Sequence, residues 1–343
     1  MQKSMHKRYC VLLVVAICLT GQKLSSQSFF TLLQIENLID DSLEYGSKYL
    51  TPATDAAIYQ ASSGWVATPQ KRKLWDVSLS FHTNVFFVPR SNRTFVAKNS
   101  DFSFYSIEGA SSAVVPTALG DDYQVYLVGY IDDGVNQNQV RIKSPEGVDS
   151  ETVVYSYLQA SVGLLYGTEL TAKFSPKIKL KKGDYQVYGA GLKHNLSQYS
   201  TELESKNIYA SAFAGYSKEK ISFDFLDAQT SFGSLGLNEI SGLVDTWQFQ
   251  VNASKKWNKF EVMSGLILNT SSIDYELGGD SSESLILSRV KTFIDQRLAE
   301  ISENKTNIIG EVSCRYQLGK FYIQPVVAFG KFINTNFALA FEF

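Results

Sequence analysis

The side chains best suited to acid–base or metal chemistry are few. Beyond the amino-terminal region, the histidines are His82 and His194, and Cys314 is the thiol. No two histidines stand at metal-ligand spacing, and the chain has neither a glycine-rich phosphate loop nor a serine elbow. We therefore expect no enzymatic activity, no cofactor and no metal.

One alternative gives His82 a catalytic role. His82 and Asn84 lie on the same face of a predicted strand, where the imidazole could activate a serine, as in barrel phospholipases. No His-x-Ser pair is present, and a histidine in a polar lumen usually belongs to a hydrogen-bond network. An outer-membrane hydrolase is therefore the less favoured interpretation.

Other polar residues lie on the inner faces of predicted strands. The candidate lumen-lining residues are Asp76, His82, Asn84, Glu169, Lys173, Lys177, Asp224 and Glu261. Lys173, Lys177 and Lys179 share one strand face and could favour anions in an aqueous lumen. Alternatively, these lysines pair with carboxylates such as Asp76, Asp224 and Glu261 across a filled barrel.

The last eleven residues, 333–343, alternate strictly. Ile333, Phe337 and Phe343 belong to a mostly apolar face, whereas Asn334 and Glu342 belong to a small, polar or acidic one. Such alternation is typical of a strand with lipid on one side and a polar lumen on the other. The pattern predicts the closing strand of an outer-membrane barrel.

Similar alternation recurs along the chain and predicts an all-β fold. The predicted strands are Trp75–Phe87, Gln124–Ile131, Thr152–Tyr166, Glu169–Leu180, Tyr185–Leu192, Asn207–Tyr216, Lys220–Asp227, Thr246–Trp257, Lys259–Ile273, Asn307–Leu318, Phe321–Gly330 and Ile333–Phe343. We expect a transmembrane antiparallel β-barrel of about twelve strands, within a range of about ten to fourteen. An even count places short turns at 217–219, 257–259 and 319–320 on the periplasmic side, with longer connections at 193–206, 228–245 and 274–306 outside. It also places 132–151 in the periplasm and tight external turns at Gly167 and Lys331.

The amino-terminal region has a different pattern. The apolar run from Tyr9 to Leu19 follows basic residues and predicts a secretory signal peptide over residues 1–26. Residues 27–66 predict a helical segment that buries Leu32, Ile35, Ile39 and Leu43 as a plug, with Thr51 and Pro52 dividing it into two helices. Residues 67–343 form the barrel.

A further helix is predicted within the longest connection. Asp280 and Glu283 form a start like a capping box, and apolar residues follow at helical spacing from Leu287 to Ile301. This helix either packs on the barrel rim or offers a docking surface for a partner.

Short motifs resemble a known family. They are Tyr49-Leu50-Thr51-Pro52, Ser63-Gly64-Trp65, Val85-Phe86-Phe87-Val88-Pro89, and the pairs Pro116-Thr117 and Gly120-Asp121. Residues 40–125 resemble an uncharacterised family of outer-membrane barrels from Bacteroidota-type bacteria. The chain is more distantly similar to long-chain fatty-acid transporter barrels, whose amino-terminal segment forms a hatch in the lumen; Thr51-Pro52-Ala53 stands where the hatch begins Asn-Pro-Ala. The resemblance implies a location and a fold.

These observations favour a barrel in the outer membrane that binds or passes a small or amphipathic solute beside its plug. The alternative is a structural or docking barrel with a blocked lumen. The expected partners are outer-membrane lipid, the barrel-assembly machinery and an unknown solute. The net charge of −2 gives no reason to expect nucleic acid as a partner.

Overall fold

Alternating side chains allow ten strands to close into a single antiparallel barrel in the computed structural model. The structure describes residues 2–132, 134, 136–226, 229–230, 233–234, 238–278 and 285–343. The barrel strands are β1 (Val77–Phe87), β7 (Thr152–Gly163), β8 (Thr168–Leu180), β9 (Gly183–Asn195), β10 (Ile208–Asp224), β13 (Glu239–Trp257), β14 (Phe260–Gly278), β15 (Glu303–Leu318), β16 (Phe321–Phe329) and β17 (Ile333–Glu342). Each strand pairs with its sequence neighbour in this set, and β1 pairs with β17 to close the barrel.

The remaining elements lie before or between these strands. They are α1 (Gln2–Ser62), β2 (Thr94–Lys98), β3 (Ser106–Ile107), β4 (Ser112–Pro116), β5 (Tyr126–Asp132), β6 (Gln137–Lys143), α2 (Thr201–Ser205), β11 (Gln229–Thr230), β12 (Gly233–Ser234) and α3 (Leu285–Glu300). Among the described helices, none is both long and apolar enough to cross a membrane.

The two faces of the barrel wall differ in chemistry. In β1, Leu79 and Phe81 are exposed on the outside, while Ser80, His82 and Asn84 are buried inside. In β17, Phe337 and Leu339 are exposed, and Asn334 and Asn336 are buried. A closed barrel with an apolar outer wall and every wall strand paired is a structure that lipid tolerates. The predicted transmembrane antiparallel barrel is therefore confirmed.

The barrel has two distinct ends. At the end called here the turn end, tight connections join β7 to β8, β13 to β14 and β15 to β16, and Phe343 lies beside Val77. At the opposite end, called the loop end, residues 88–151 connect β1 to β7 and residues 279–302 connect β14 to β15.

Ten strands are present where twelve were predicted, for two reasons. The predicted strands Asn207–Tyr216 and Lys220–Asp227 are one strand, β10, which continues through 217–219 without a turn. There Ser217 and Glu219 face inward, and Lys218 forms an ion pair with Asp245 outside, so polar residues that suggested a turn occupy both faces of a strand. The predicted strand Gln124–Ile131 corresponds to β5, which pairs with β3 and β6 outside the barrel.

This change in count corrects the predicted positions of several connections. The connection 193–206, predicted outside, lies largely at the turn end, as does the turn at Gly167. Residues 132–151, predicted in the periplasm, belong to the loop-end connection. The predicted strand Gln124–Ile131 is absent from the barrel, so the strands that follow it, β7 to β9, run in the direction opposite to the predicted one, because consecutive strands of this barrel are antiparallel.

A single helix, α1, replaces the two predicted amino-terminal helices. It continues through Pro52, although proline removes the N–H that would bond to the Lys48 carbonyl. The residues beside the proline, Leu50 and Ala53, are fully buried, as is Tyr49 one turn earlier. Burial of these side chains offsets the cost of the proline, which is about 3 kcal/mol in a helix interior.

The loop end carries a folded domain above the barrel. This loop-end domain, residues 88–151, contains the two-stranded sheet of β2 and β4 and the three-stranded sheet of β3, β5 and β6. Ile107, Leu127 and Ile142 contribute to one apolar core that also includes α1 and the upper barrel. Helix α3 packs beside α1, where Arg297 contacts Asp40, and this matches the rim-packing interpretation; Asp280 and Glu283 lie outside the described residues.

Candidate functional site

The lumen is occupied by the chain itself. Residues 31–73, called the plug below, enter at the loop end as the carboxy-terminal half of α1 and leave at the turn end, where β1 begins. Three contacts mark the path: Asp41 meets the loop-end domain, Gly64 meets Glu311 halfway along β15, and Arg72 meets Glu169 at the start of β8. The plug therefore passes through the whole barrel.

At the loop end, the plug is fixed by a buried carboxylate. Asp41 Oδ1 accepts the Ser103 N–H at 2.9 Å, and its Oδ2 accepts the N–H groups of Phe104 and Tyr105 at 2.6 and 2.9 Å. Burial raises the pKa of Asp41, and these three donors partly oppose that effect. One side chain thus ties the helix to the loop-end domain.

Deeper in the lumen, aromatic rings pack around the helix. Tyr49 contacts Phe223 edge-on at 6.1 Å between ring centroids and donates to the Glu146 carbonyl at 2.7 Å. Tyr59 packs edge-on against Phe332 at 5.2 Å and accepts the Lys331 N–H. This half of the plug is held by apolar burial and by the few hydrogen bonds that buried polar groups require.

Below the helix, the plug crosses the lumen through polar contacts. Lys173 Nζ donates to the carbonyls of Ala61 and Ser63 at 3.2 and 3.3 Å and lies 4.3 Å from the Trp65 ring. The Gly64 N–H donates to Glu311 at 3.0 Å. Gly64 has φ of +76°, and a Cβ there would lie 2.9 Å from the Tyr157 hydroxyl, so glycine is required by both conformation and space.

A serine, a histidine and an asparagine form a hydrogen-bonded row on the wall beside Gly64. Ser80 Oγ lies 2.9 Å from His82 Nε2, and His82 Nδ1 lies 2.9 Å from Asn336 Oδ1. These distances match a nucleophile, a base and an orienting group. However, all three side chains are buried, and Tyr157 stacks on the imidazole at 4.6 Å. The row therefore forms a buried part of the wall beside the plug.

At the turn end, ion pairs hold the plug as it leaves. Arg72 Nε donates to Glu169 at 2.9 Å, and Lys193 Nζ donates to the same carboxylate at 2.6 Å. Arg72 Nη1 also reaches Glu342 at 3.1 Å. Lys193 further donates to the Thr68 carbonyl at 2.8 Å. Three wall strands thus hold the plug by charge.

A second carboxylate holds the plug just above this point. Glu261 accepts the Thr68 hydroxyl at 2.9 Å and the Gln70 amide at 2.8 Å, and Ser254 donates to it at 2.6 Å. Because the carboxylate is buried with several donors, it orients two plug side chains at once.

The structure places the predicted lumen residues in three groups. His82, Asn84, Glu169, Lys173 and Glu261 face the lumen and are buried. Four of these five contact the plug or the wall network described above. Asp76 lies half-buried at the turn-end rim, where it accepts the Lys73 N–H at 3.2 Å.

Two predicted lumen residues face outward. Lys177 is exposed and pairs with Asp184, because a bulge between Ser175 and Ile178 shifts the alternation of β8 by one residue. Asp224 is exposed at the loop end of β10. The odd-numbered residues of β10 face inward, so Asp224 faces outward. The prediction of two separate strands over 207–227 hid this continuous alternation.

Sequence reasoning missed Arg72, Lys193 and Arg315, which supply the cationic side of the turn-end network. The partners lie between 24 and 270 positions apart. Lys193 directly follows the predicted strand Tyr185–Leu192 and shares the face of its odd-numbered residues, and this was the available signal. Within the described residues, no three His, Cys, Asp or Glu side chains converge as a metal site.

Comparisons with solved structures find distant barrels. The translocator domain of autotransporter NalP from Neisseria meningitidis is 8% identical, with 85% of this chain and 97% of that chain covered and a TM-score of 0.33. The outer membrane protease OmpT from Escherichia coli is 10% identical, with 80% and 100% covered and a TM-score of 0.28. The beta domain of the Bordetella autotransporter BrkA is 9% identical, with 78% and 98% covered and a TM-score of 0.31.

No curated protein matches the chain. Similarity to fatty-acid transporter barrels and an origin in Bacteroidota-type bacteria stay predictions. One family model matches almost the full length, residues 5–343. The chain, an outer-membrane-type barrel filled by its own plug, therefore belongs to the family of unknown function DUF6588.

Proposed function

We propose that this protein is an outer-membrane barrel whose lumen is blocked at rest by its own plug, and that it acts as a structural or docking barrel. The supporting observation is the continuous path of the plug, whose contacts run from Asp41 on the loop-end domain to Arg72 on the wall at the turn end. Among the described residues, the plug occupies the lumen along its length and so obstructs the passage of a solute. The sequence-based preference for a barrel that binds or passes a small or amphipathic solute is therefore revised toward the blocked barrel.

The outer-membrane location is part of this proposal. An exposed apolar belt including Leu79, Phe249 and Leu339 supports contact with lipid, and outer-membrane barrels place short turns in the periplasm and longer connections outside. On that basis the loop-end domain lies on the cell surface. The fraction that contains the protein should resist a urea wash, and the folded protein should migrate differently before and after boiling. Release by urea would contradict the location.

Conductance across a planar bilayer tests the blocked lumen. We expect the purified full-length protein to insert without a steady open state, because the plug contacts the wall near both ends of the lumen, at Phe223 and at Glu169. A stable, long-lived open conductance from the unmodified protein would contradict the proposal, provided that heat modifiability shows the sample to be folded.

A second candidate function, gated passage of a small solute, is supported by one observation. The plug residues 63–73 lie outside the large apolar core that contains the helix. Hydrogen bonds and ion pairs hold them, and Trp65 and Val66 pack in a separate small cluster with Phe213 and Met263. Polar contacts can exchange with water, so this part of the plug could move while the helix stays in place.

Gly64→Ala tests gating, because the added Cβ would meet the Tyr157 hydroxyl and the backbone there has positive φ. The matched control is Gly319→Ala, which has φ of +65° but no atom within 4 Å of the added Cβ. If the polar half gates the lumen, Gly64→Ala should produce transient openings that Gly319→Ala lacks. Equal, closed behaviour of both variants would reject gating and leave the blocked barrel.

A further inference from the structure

A cavity of about 330 Å³ opens at the turn end, where the plug leaves the lumen. This turn-end basin is lined by Thr68, Gln70, Lys71, Arg72, Asp76, Val77, Lys256, Arg315, Gln317, Gly319, Lys320, Glu342 and Phe343. The plug supplies one side, and the ends of the barrel strands supply the other.

The basin carries an excess of positive charge. Its cationic side chains are Lys71, Arg72, Lys256, Arg315 and Lys320, and its carboxylates are Asp76 and Glu342. Glu342 already accepts from Arg72 at 3.1 Å and from Arg315 at 2.7 Å. Within the described part of the chain, Lys71 and Lys320 take part in no ion pair. Two lysines are thus available to an incoming anion.

Two guanidinium groups in the basin retain unused donors. Arg72 Nη2 and Arg315 Nε have no hydrogen-bond partner, and the two residues are 9% and 6% exposed. Neighbouring groups fix both: Glu169 holds Arg72 at 2.9 Å, and Tyr322 lies under Arg315 at 4.0 Å. A planar guanidinium in a fixed orientation is suited to the oxygens of a phosphate group.

The position of the basin points to the source of such a group. Val77 and Phe343 line the cavity, and their side chains belong to the exposed, lipid-facing set, at 38% and 67%. The cavity therefore borders both the lumen rim and the level of the lipid head groups. We propose that the turn-end basin binds a phosphate group, carried by a phospholipid of the adjacent leaflet.

Two probes, used with the full-length protein in phosphate-free non-ionic detergent, distinguish the sources. The first is inorganic phosphate, followed by the ³¹P NMR linewidth. The second is dihexanoyl-phosphatidylglycerol, followed by native mass spectrometry, with dihexanoylglycerol as the ligand that lacks phosphate. Tighter binding of the phospholipid than of inorganic phosphate supports the lipid source. Binding of inorganic phosphate with no gain from the acyl chains supports the phosphate site but overturns the lipid assignment.

A charge-matched pair of double variants locates the site. Lys71→Gln with Lys320→Gln removes the two available basin lysines and should weaken phosphate binding about fivefold or more. Lys206→Gln with Lys259→Gln removes two exposed turn-end charges that do not line the basin, and should change binding less than about twofold. Equal losses in the two double variants, or no phosphate-dependent binding by the unmodified protein, would overturn the proposal.

Discussion

The two halves of the plug are held by different physical means. Residues 31–62 form a helix in an apolar core that also contains the loop-end domain and the upper wall. Residues 63–73 have no regular helix. Carboxylates and lysines of the wall hold them, together with a small apolar cluster around Trp65 and Val66. Apolar burial is cooperative and non-directional, whereas ion pairs and hydrogen bonds can be exchanged individually for water. The first half is therefore part of the folded core. The second half, residues 63–73, is called the latch below, because its polar contacts can open individually.

The largest effect should follow from a charge in the helical half. Ile39 is 1% exposed, so Ile39→Asp loses its apolar burial and places a carboxylate where no partner is available, at a cost of about 4 kcal/mol or more. We expect a lower urea midpoint for the barrel and for the loop-end domain together. Urea unfolding followed by tryptophan fluorescence measures this.

Leu33→Asp is the matched control for that experiment. Leu33 lies on the same helix but is 43% exposed, so the same change should cost well under half as much. Similar midpoints for the two variants would show that the helical half is not part of the core, and the comparison between the two halves would fail.

A smaller and more local effect should follow from breaking the latch. Arg72→Met removes one partner of buried Glu169 and should cost about 3 kcal/mol of local stability. Because Lys193 still holds Glu169, the barrel should remain folded. We expect amide hydrogen exchange to rise about a hundredfold in residues 63–73 and to change little in residues 31–62.

Lys206→Met provides the control for the latch. It removes the pair between Lys206 and Glu202, whose side chains are 58% and 77% exposed at the same end of the barrel, and such pairs contribute little. Faster exchange along the whole plug in Arg72→Met would mean that the two halves open as one unit.

The sequence predicted the wall better than its contents. In β1 and β17, strict alternation identified both the lipid face and the lumen face, because a single spacing rule decides them. The same rule failed where local conditions changed: at the bulge after Ser175, and at 217–219, where β10 has polar residues on both faces. Lys177 and the strand count were therefore misjudged.

The plug contacts were less accessible to sequence reasoning. Glu169 and Glu261 were recognised as inner-face carboxylates, but their partners Arg72 and Thr68 lie in a segment without periodicity. Nothing local in residues 67–73 indicates that they lie inside a barrel. Their position depends on the direction of α1, which enters from the loop end. That direction is set by packing against the loop-end domain, whose Phe104 lies 63 positions from Asp41 in the sequence.

The smallest predicted effect concerns pH and the helical half. The folded-state pKa of Asp41 is raised above 3.8, chiefly by burial, so the folded state holds the proton more tightly than the unfolded state does. This contribution is fully present below the unfolded pKa and is lost as the pH rises through the folded pKa. Asp41→Asn cannot titrate. The free energy of unfolding of the unmodified protein, minus that of Asp41→Asn, should therefore fall as the pH rises from about 4 toward neutrality.

Glu108 in the same loop-end domain provides the opposite sign. The hydrogen bond from Arg141 lowers the pKa of this fully exposed carboxylate, so its contribution is present above the unfolded pKa and is lost as the pH falls. The free energy of unfolding of the unmodified protein, minus that of Glu108→Gln, should therefore rise with pH. The rise should be small, because solvent screens the pair of Glu108 and Arg141. Urea midpoints of the three proteins across this pH range measure both slopes. If the difference in the free energy of unfolding for Asp41→Asn rose with pH instead, the three backbone N–H donors would outweigh burial in setting the pKa of Asp41. Asp41 would then bind the loop-end domain as an ionised carboxylate, as Glu169 binds Arg72 of the plug.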